Sequence, residues 1–195
     1  MRGRGPPLST ERKPVFKDTK SALITIAVII VLVAFALFAI DHNNVTRLTR
    51  TQEKAAGYQE TAFALIEARV DLAATMAQIL GEEGQAEDLL HPIVRKWKRV
   101  EDVQAASSIY LELDEALAQV QKHLYGQDIY LRLAPYFEEI YDIERALTAQ
   151  VEEYNSQADL YNAIRSSFPA TLAARRLGMG ALARFSIASA LKGRP

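Results

Sequence analysis

Between residues 21 and 40 the chain reads SALITIAVIIVLVAFALFAI, with no charged residue, proline or glycine. A helix of ~20 such residues rises ~30 Å, the thickness of the hydrocarbon core of a bilayer. The run therefore predicts one membrane span. Ala34-Phe35-Ala36 has the small residues of a cleavage site. The apolar stretch is nevertheless longer than the ~7–15 residues of a signal-peptide core, so retention as an anchor is expected. The usual thioether or thioester lipid anchors have no cysteine to attach to.

The flanks predict an orientation. Arg2, Arg4, Arg12, Lys13, Lys17 and Lys20 precede the run, against Glu11 and Asp18, while the twenty residues after it carry Arg47, Arg50 and Lys54. The positive-inside rule then keeps residues 1–20 in the cytoplasm and sends the remainder outward. The tail, rich in proline, glycine and basic residues, cannot bury apolar surface and is expected to be disordered, its charges drawn to anionic headgroups.

The remainder is of single-domain length and net acidic, without the basic excess that nucleic-acid binding needs. Helix formers dominate it, and no alternating β-branched run supports a sheet. The expected class is all-α: an N-terminal transmembrane helix (21–41), an elongated antiparallel four-helix bundle (42–180) and a basic amphipathic C-terminal segment (181–195).

Apolar residues at steps of three, four and seven predict a first bundle helix over 43–80, with Val45, Leu48, Ala55, Tyr58, Ala62, Leu65, Leu72, Met76 and Ile79 inward. Asp41-His42-Asn43-Asn44 is a soft boundary that the membrane helix is expected to run through. The Gly81–Gly84 turn ends this helix. A short helix follows, with Glu87 and Asp88 first, Arg95, Lys96, Lys98 and Arg99 last, and Pro92 limiting its regularity. The third helix is expected over 102–124, with Ala106, Ile109, Tyr110, Leu113, Leu117 and Val120 as its apolar stripe, and the fourth over 133–168, with Asp128 as a cap and a start or kink near Pro135.

Leu133, Ile140, Leu147, Tyr154, Tyr161 and Phe168 follow one another by sevens, which a long helix places on one face. The last three begin the pairs Tyr154-Asn155, Tyr161-Asn162 and Phe168-Pro169. Together with Glu144, these pairs resemble the C-terminal signature of the LemA family, in order and spacing, across residues 139–180. The family's usual arginine-rich stretch into Asp-Leu-Ile-Pro is reduced here to EARVDLAATM. That segment keeps Arg69, Asp71 and Leu72, with Ala74 in place of the proline, and Val151 stands where the family tends to have arginine. The resemblance implies a divergent member: a membrane-anchored helical bundle with no established catalytic chemistry.

Two readings of the Tyr-Asn pairs follow from the residues. Structurally, the tyrosines bury area while hydroxyls and amides bond across helices and fix register; functionally, the same groups line a cleft for a partner helix. Arg95 and Trp97 form a basic-aromatic patch facing headgroups or an acidic partner, or simply satisfy a helix end. After Asp159 every charge is positive. Arg175, Arg176 and Arg184, interleaved with Phe185 and other apolar residues, suggest a segment lying in the headgroup plane or folding back as a last helix.

His42, His91 and His123 stand apart, and no metal, cofactor or nucleophile motif occurs, so no cofactor and no catalysis are expected. The expected function is a non-catalytic adaptor or scaffold of the bacterial cytoplasmic membrane. Its partners would be the lipid bilayer and other envelope proteins or itself. The alternative is a tethered sensor that binds a small ligand between bundle helices.

Overall fold

The computed structural model describes residues 19–82, 89–98, 100 and 102–187. Residues 1–18 of the tail expected to be disordered, Gly84, Glu87, Asp88, Arg99 and the end of the C-terminal segment lie outside the described residues, while Thr19 and Lys20, assigned to that tail, are helical. Those described form five helices and no strand: α1 (Thr19–Glu82), α2 (His91–Trp97), α3 (Val103–Leu124), α4 (Asp128–Ser166) and α5 (Ala170–Arg176). The chain divides into two compact units, Met1–Asn43 and Asn44–Pro195.

In the first unit, α1 is long and apolar enough to cross a membrane, with a mean hydropathy of 3.3 over an 18-residue window, none of it buried. Within the run, the Thr25 hydroxyl donates to the Ser21 carbonyl at 2.9 Å, so it brings no unsatisfied donor into the apolar stretch. The helix continues through the soft boundary at 41–44 without a break.

In the second unit, one core takes faces from α1, α2, α3 and α4. The α1 face is turned slightly from the expected one. Leu48, Ala55, Ala62 and Met76 are buried, but so are Ile66, Arg69, Val70, Ala73, Ala77 and Leu80, while Tyr58, Leu65, Leu72 and Ile79 only flank the core. The α3 stripe is as expected, with Ala106, Ile109, Tyr110, Leu113, Leu117 and Val120 all buried. Asp102 caps α3, accepting from the Ala105 N–H at 2.8 Å.

The fourth helix begins earlier than expected, at Asp128, and Pro135 lies inside it. The start is set by the turn before it. Tyr125 (φ −56°, ψ 126°) and Gly126 (φ +84°) form a type II turn, closed by Gln127 N–H to Leu124 O at 2.9 Å. The positive φ at its second central residue suits glycine. Asp128 is the first helical residue, and Gln127 occupies the cap position without a side-chain capping bond, its amide donating instead to the His123 carbonyl at 2.8 Å. Burial of Ile129, Leu133 and Phe137 on either side of Pro135 offsets the backbone bond that proline cannot make.

The seam Leu133, Ile140, Leu147, Tyr154 and Tyr161 is buried along its whole length. Phe168 breaks the row. Helix α4 stops at Ser166, so Phe168 lies beyond the helical register and is 81% exposed, ahead of a cis bond to Pro169. After it, α5 packs Ala170, Ala173 and Ala174 against Leu48, Tyr161 and Ile164. Gly178 (φ +66°) closes α5, with Met179 N–H to Ala174 O at 2.9 Å and Gly178 N–H to Arg175 O at 3.3 Å. This pairing is a Schellman motif.

Candidate functional site

Residues 180–187 are not helical. They run as an extended strap along α4, and the Tyr-Asn pairs hold them there. Asn162 donates to the Leu182 carbonyl (2.9 Å) and accepts from the Leu182 N–H (3.0 Å). Asn155 does the same at Phe185, at 3.1 and 2.9 Å. Each carboxamide thus closes a two-bond ring with one strap residue, matching an amide's donor and acceptor to a backbone's acceptor and donor.

The tyrosines take other carbonyls of the strap: Tyr161 donates to Gly180 O at 3.0 Å and Tyr154 to Ala183 O at 2.8 Å. Arg165 Nε adds a bond to Met179 O at 2.8 Å. A step of seven on α4 therefore answers a step of three on the strap. Seven helical residues rise ~10.5 Å and three extended residues span ~10 Å, so the two repeats stay in phase. This match is the physical reason for pairs one heptad apart.

Side chains fix the strap's face. Phe185 is buried among Tyr154 (ring centroids 5.1 Å) and Phe63 (5.8 Å), both edge-on. The Ser186 N–H donates to Ser107 Oγ at 3.1 Å, which joins the strap to the start of α3. Burial raises the Tyr154 hydroxyl above its ordinary pKa; it does the same to Tyr161 against a smaller opposing pull from Arg165.

Deeper in the same unit lies a charged cluster. Arg69 of α1 donates to Glu144 Oε2 at 2.6 Å and to Asp114 Oδ1, while Tyr110 donates to Glu144 Oε1 at 2.5 Å. The Arg69 guanidinium also stands 4.7 Å from the centre of the Tyr110 ring. Arg69 and Asp114 are fully buried, and among the described residues Arg69 Nε is a buried nitrogen without a partner. Burial acts to lower the arginine's pKa, but the negative charges of Glu144 and Asp114 outweigh it and hold the guanidinium above its ordinary value. Burial, reinforced by the Glu144 carboxylate against the pull of Arg69, raises Tyr110 well above its ordinary range.

Beside Glu144 an open cleft of about 580 Å³ is lined by Thr148, Glu152, Asn155, Arg184 and Ile187, among others. Glu144 therefore belongs both to the buried cluster and to the cleft wall.

Of the expected contact residues, Arg95, Arg175 and Arg176 are exposed, whereas Trp97 is half-buried, edge-on to Phe63 at 6.0 Å. Arg184 pairs with Asp159 at 2.8 Å on the surface. Phe185 faces inward, because an extended strap turns alternate residues to the bundle, and residues 181–187 of the expected amphipathic segment form no last helix. Phe185 is a core residue rather than a surface contact.

The periodicity did not single out Arg69 or Asp114, yet both occupy inward positions, at steps of three and four from Ile66 and Ala73 and from Tyr110 and Leu117. A charge of each sign on the apolar stripes of two helices was the available signal. Among the described residues no group of His, Cys, Asp and Glu is arranged to hold a metal ion. Comparison of the chain with protein-family models, with curated proteins and with solved structures finds no match.

Proposed function

We propose that the chain is a divergent LemA-like protein that works as a non-catalytic adaptor or scaffold in the bacterial cytoplasmic membrane. In this reading residues 21–41 span the bilayer, the N-terminus is cytoplasmic and an elongated antiparallel four-helix bundle stands outside. The three-residue link between α3 and α4 supports antiparallel neighbours. Partners are other envelope proteins or further copies of the chain.

One observation carries the adaptor reading. Asn155 and Asn162 engage both backbone groups of Phe185 and Leu182, so the α4 face recognises extended chain by its backbone, the physics by which proteins bind peptide segments. Photo-crosslinking in intact membranes tests it, with probes at exposed Leu160 on α4 and at Arg184 on the strap. A reproducible second protein supports the adaptor; adducts to the chain itself support a self-assembled scaffold; no adduct from either probe counts against both.

The cleft beside Glu144 favours a second reading, a sensor for a small polar ligand. A metabolite that raises the melting temperature of the wild-type chain but not of Thr148→Phe, which fills the cleft, would support it.

A further inference from the structure

The corner that follows α4 is apolar where it has no need to be for folding. Phe168, Leu172 and Leu177 are 81%, 56% and 49% exposed, although Ala170, Ala173 and Ala174 already supply the buried face of α5. Leu172, Arg175 and Arg176 fall at steps of three and four, so they share the face of α5 turned from the core. From residue 160 to residue 187 there is no acidic residue.

Where this corner sits in its unit gives it a partner. Arg69 meets Glu144, and farther toward the beginning of the unit Leu48 clusters with Tyr161 and Ile164. The end of α4, and α5 after it, therefore lie at the end of the unit that begins with Asn44. Exposed Arg47 and Arg50 are at that same end, beside Leu48. Few residues separate Leu48 from Ile40, the last of the apolar run. Even a fully extended link between them spans only about 29 Å. With residues 21–40 in a bilayer, as proposed, the length of this link by itself bounds the distance from Leu48 to the lipid.

We infer that the corner at residues 168–177 is a second bilayer contact, specific for an anionic leaflet. Phe168, Leu172 and Leu177 enter the interfacial zone, and Arg175 and Arg176 pair with lipid phosphates. The inference rests on the proposed membrane reading. Aromatic and aliphatic groups flanked by arginine suit the boundary between headgroup and acyl chain, because the ring and methyls leave water while each guanidinium stays hydrated and phosphate-bound.

The native chain has no cysteine, so single-site labelling is direct. The full chain is reconstituted into phosphatidylethanolamine vesicles with and without phosphatidylglycerol, and carries an environment-sensitive fluorophore at Leu172→Cys, Leu177→Cys, Phe35→Cys or Leu131→Cys. Leu131 is 75% exposed near the other end of α4. Brominated lipids should quench the labels at 35, 172 and 177 but not at 131. Quenching at 172 should fall about twofold or more without phosphatidylglycerol or with R175E/R176E. Quenching at 35 without quenching at 172 and 177 overturns the inference and leaves the span standing. No quenching at 35 overturns the membrane reading and the inference with it. A label at 172 that is shielded from aqueous quencher in detergent as fully as in vesicles would assign the corner to protein and also overturn the inference.

Discussion

Arg69 shows how much one side chain can commit. Its partners Asp114 and Glu144 come from two other helices, so the arginine links α1, α3 and α4. Removing it takes the ion-pair partner from the fully buried Asp114 and from Glu144. Arg69→Met should therefore cost about 3–5 kcal/mol in chemical denaturation. An Arg69→Met, Asp114→Leu, Glu144→Leu, Tyr110→Phe variant should recover part of that loss, since the charges and the Tyr110 hydroxyl that meet at this cluster are removed together. The tyrosines give a pH signature. Tyr110, Tyr154 and Tyr161 are raised above the ordinary value of 10.0 in the folded state, so the folded chain holds these protons more tightly than the unfolded one. Their contribution is complete below about pH 10, the unfolded value, and is lost as pH rises through the raised values. Melting temperature measured across about pH 9–12 should fall above about 10, less steeply in Tyr110→Phe.

At the scale of elements, α4 and the strap are two repeats in phase. Asn162→Ala removes both bonds at Leu182, and Asn155→Ala both at Phe185. Each substitution should cost about 1–2 kcal/mol. Amide exchange should speed up selectively at Leu182 in the first variant and at Phe185 in the second. Phe185 is buried. Phe185→Ala should cost about 3–5 kcal/mol, the range for emptying a buried aromatic site. A role confined to surface contact would leave stability unchanged. Gly178 closes α5 at φ +66°. Alanine carries a steric penalty in that conformation, so Gly178→Ala should cost about 1–2 kcal/mol. Periodicity made the seam of α4 legible as far as Tyr161; it failed at Phe168, since a helical period says nothing of where the helix stops.

For the whole molecule, the proposed topology makes one clean prediction. With the N-terminus in the cytoplasm, Leu131→Cys should react with a membrane-impermeant maleimide in intact spheroplasts, and reaction only after lysis would reverse the orientation. Leu131 suits the test because it is well exposed, whereas Ser107 is buried against the strap. The basic residues are unevenly placed on this unit: Arg47, Arg50, Arg165, Arg175 and Arg176 gather at the end that begins with Asn44, although the chain carries a net charge of only −1. A net charge averages away an asymmetry of this kind.

The sequence by itself determined the helical class, the membrane-length apolar run, the α3 stripe and the buried row from Leu133 to Tyr161. Each follows from a period or a length that neighbouring residues carry together. Only the tertiary structure decided what the polar members of the seam do. Asn155 and Asn162 bind an extended strap rather than another helix, and Arg69 finds two carboxylates that lie far away in sequence. The physical reason is that a hydrogen bond or ion pair needs a partner at ~3 Å, and which distant residue arrives there is settled by how the helices pack.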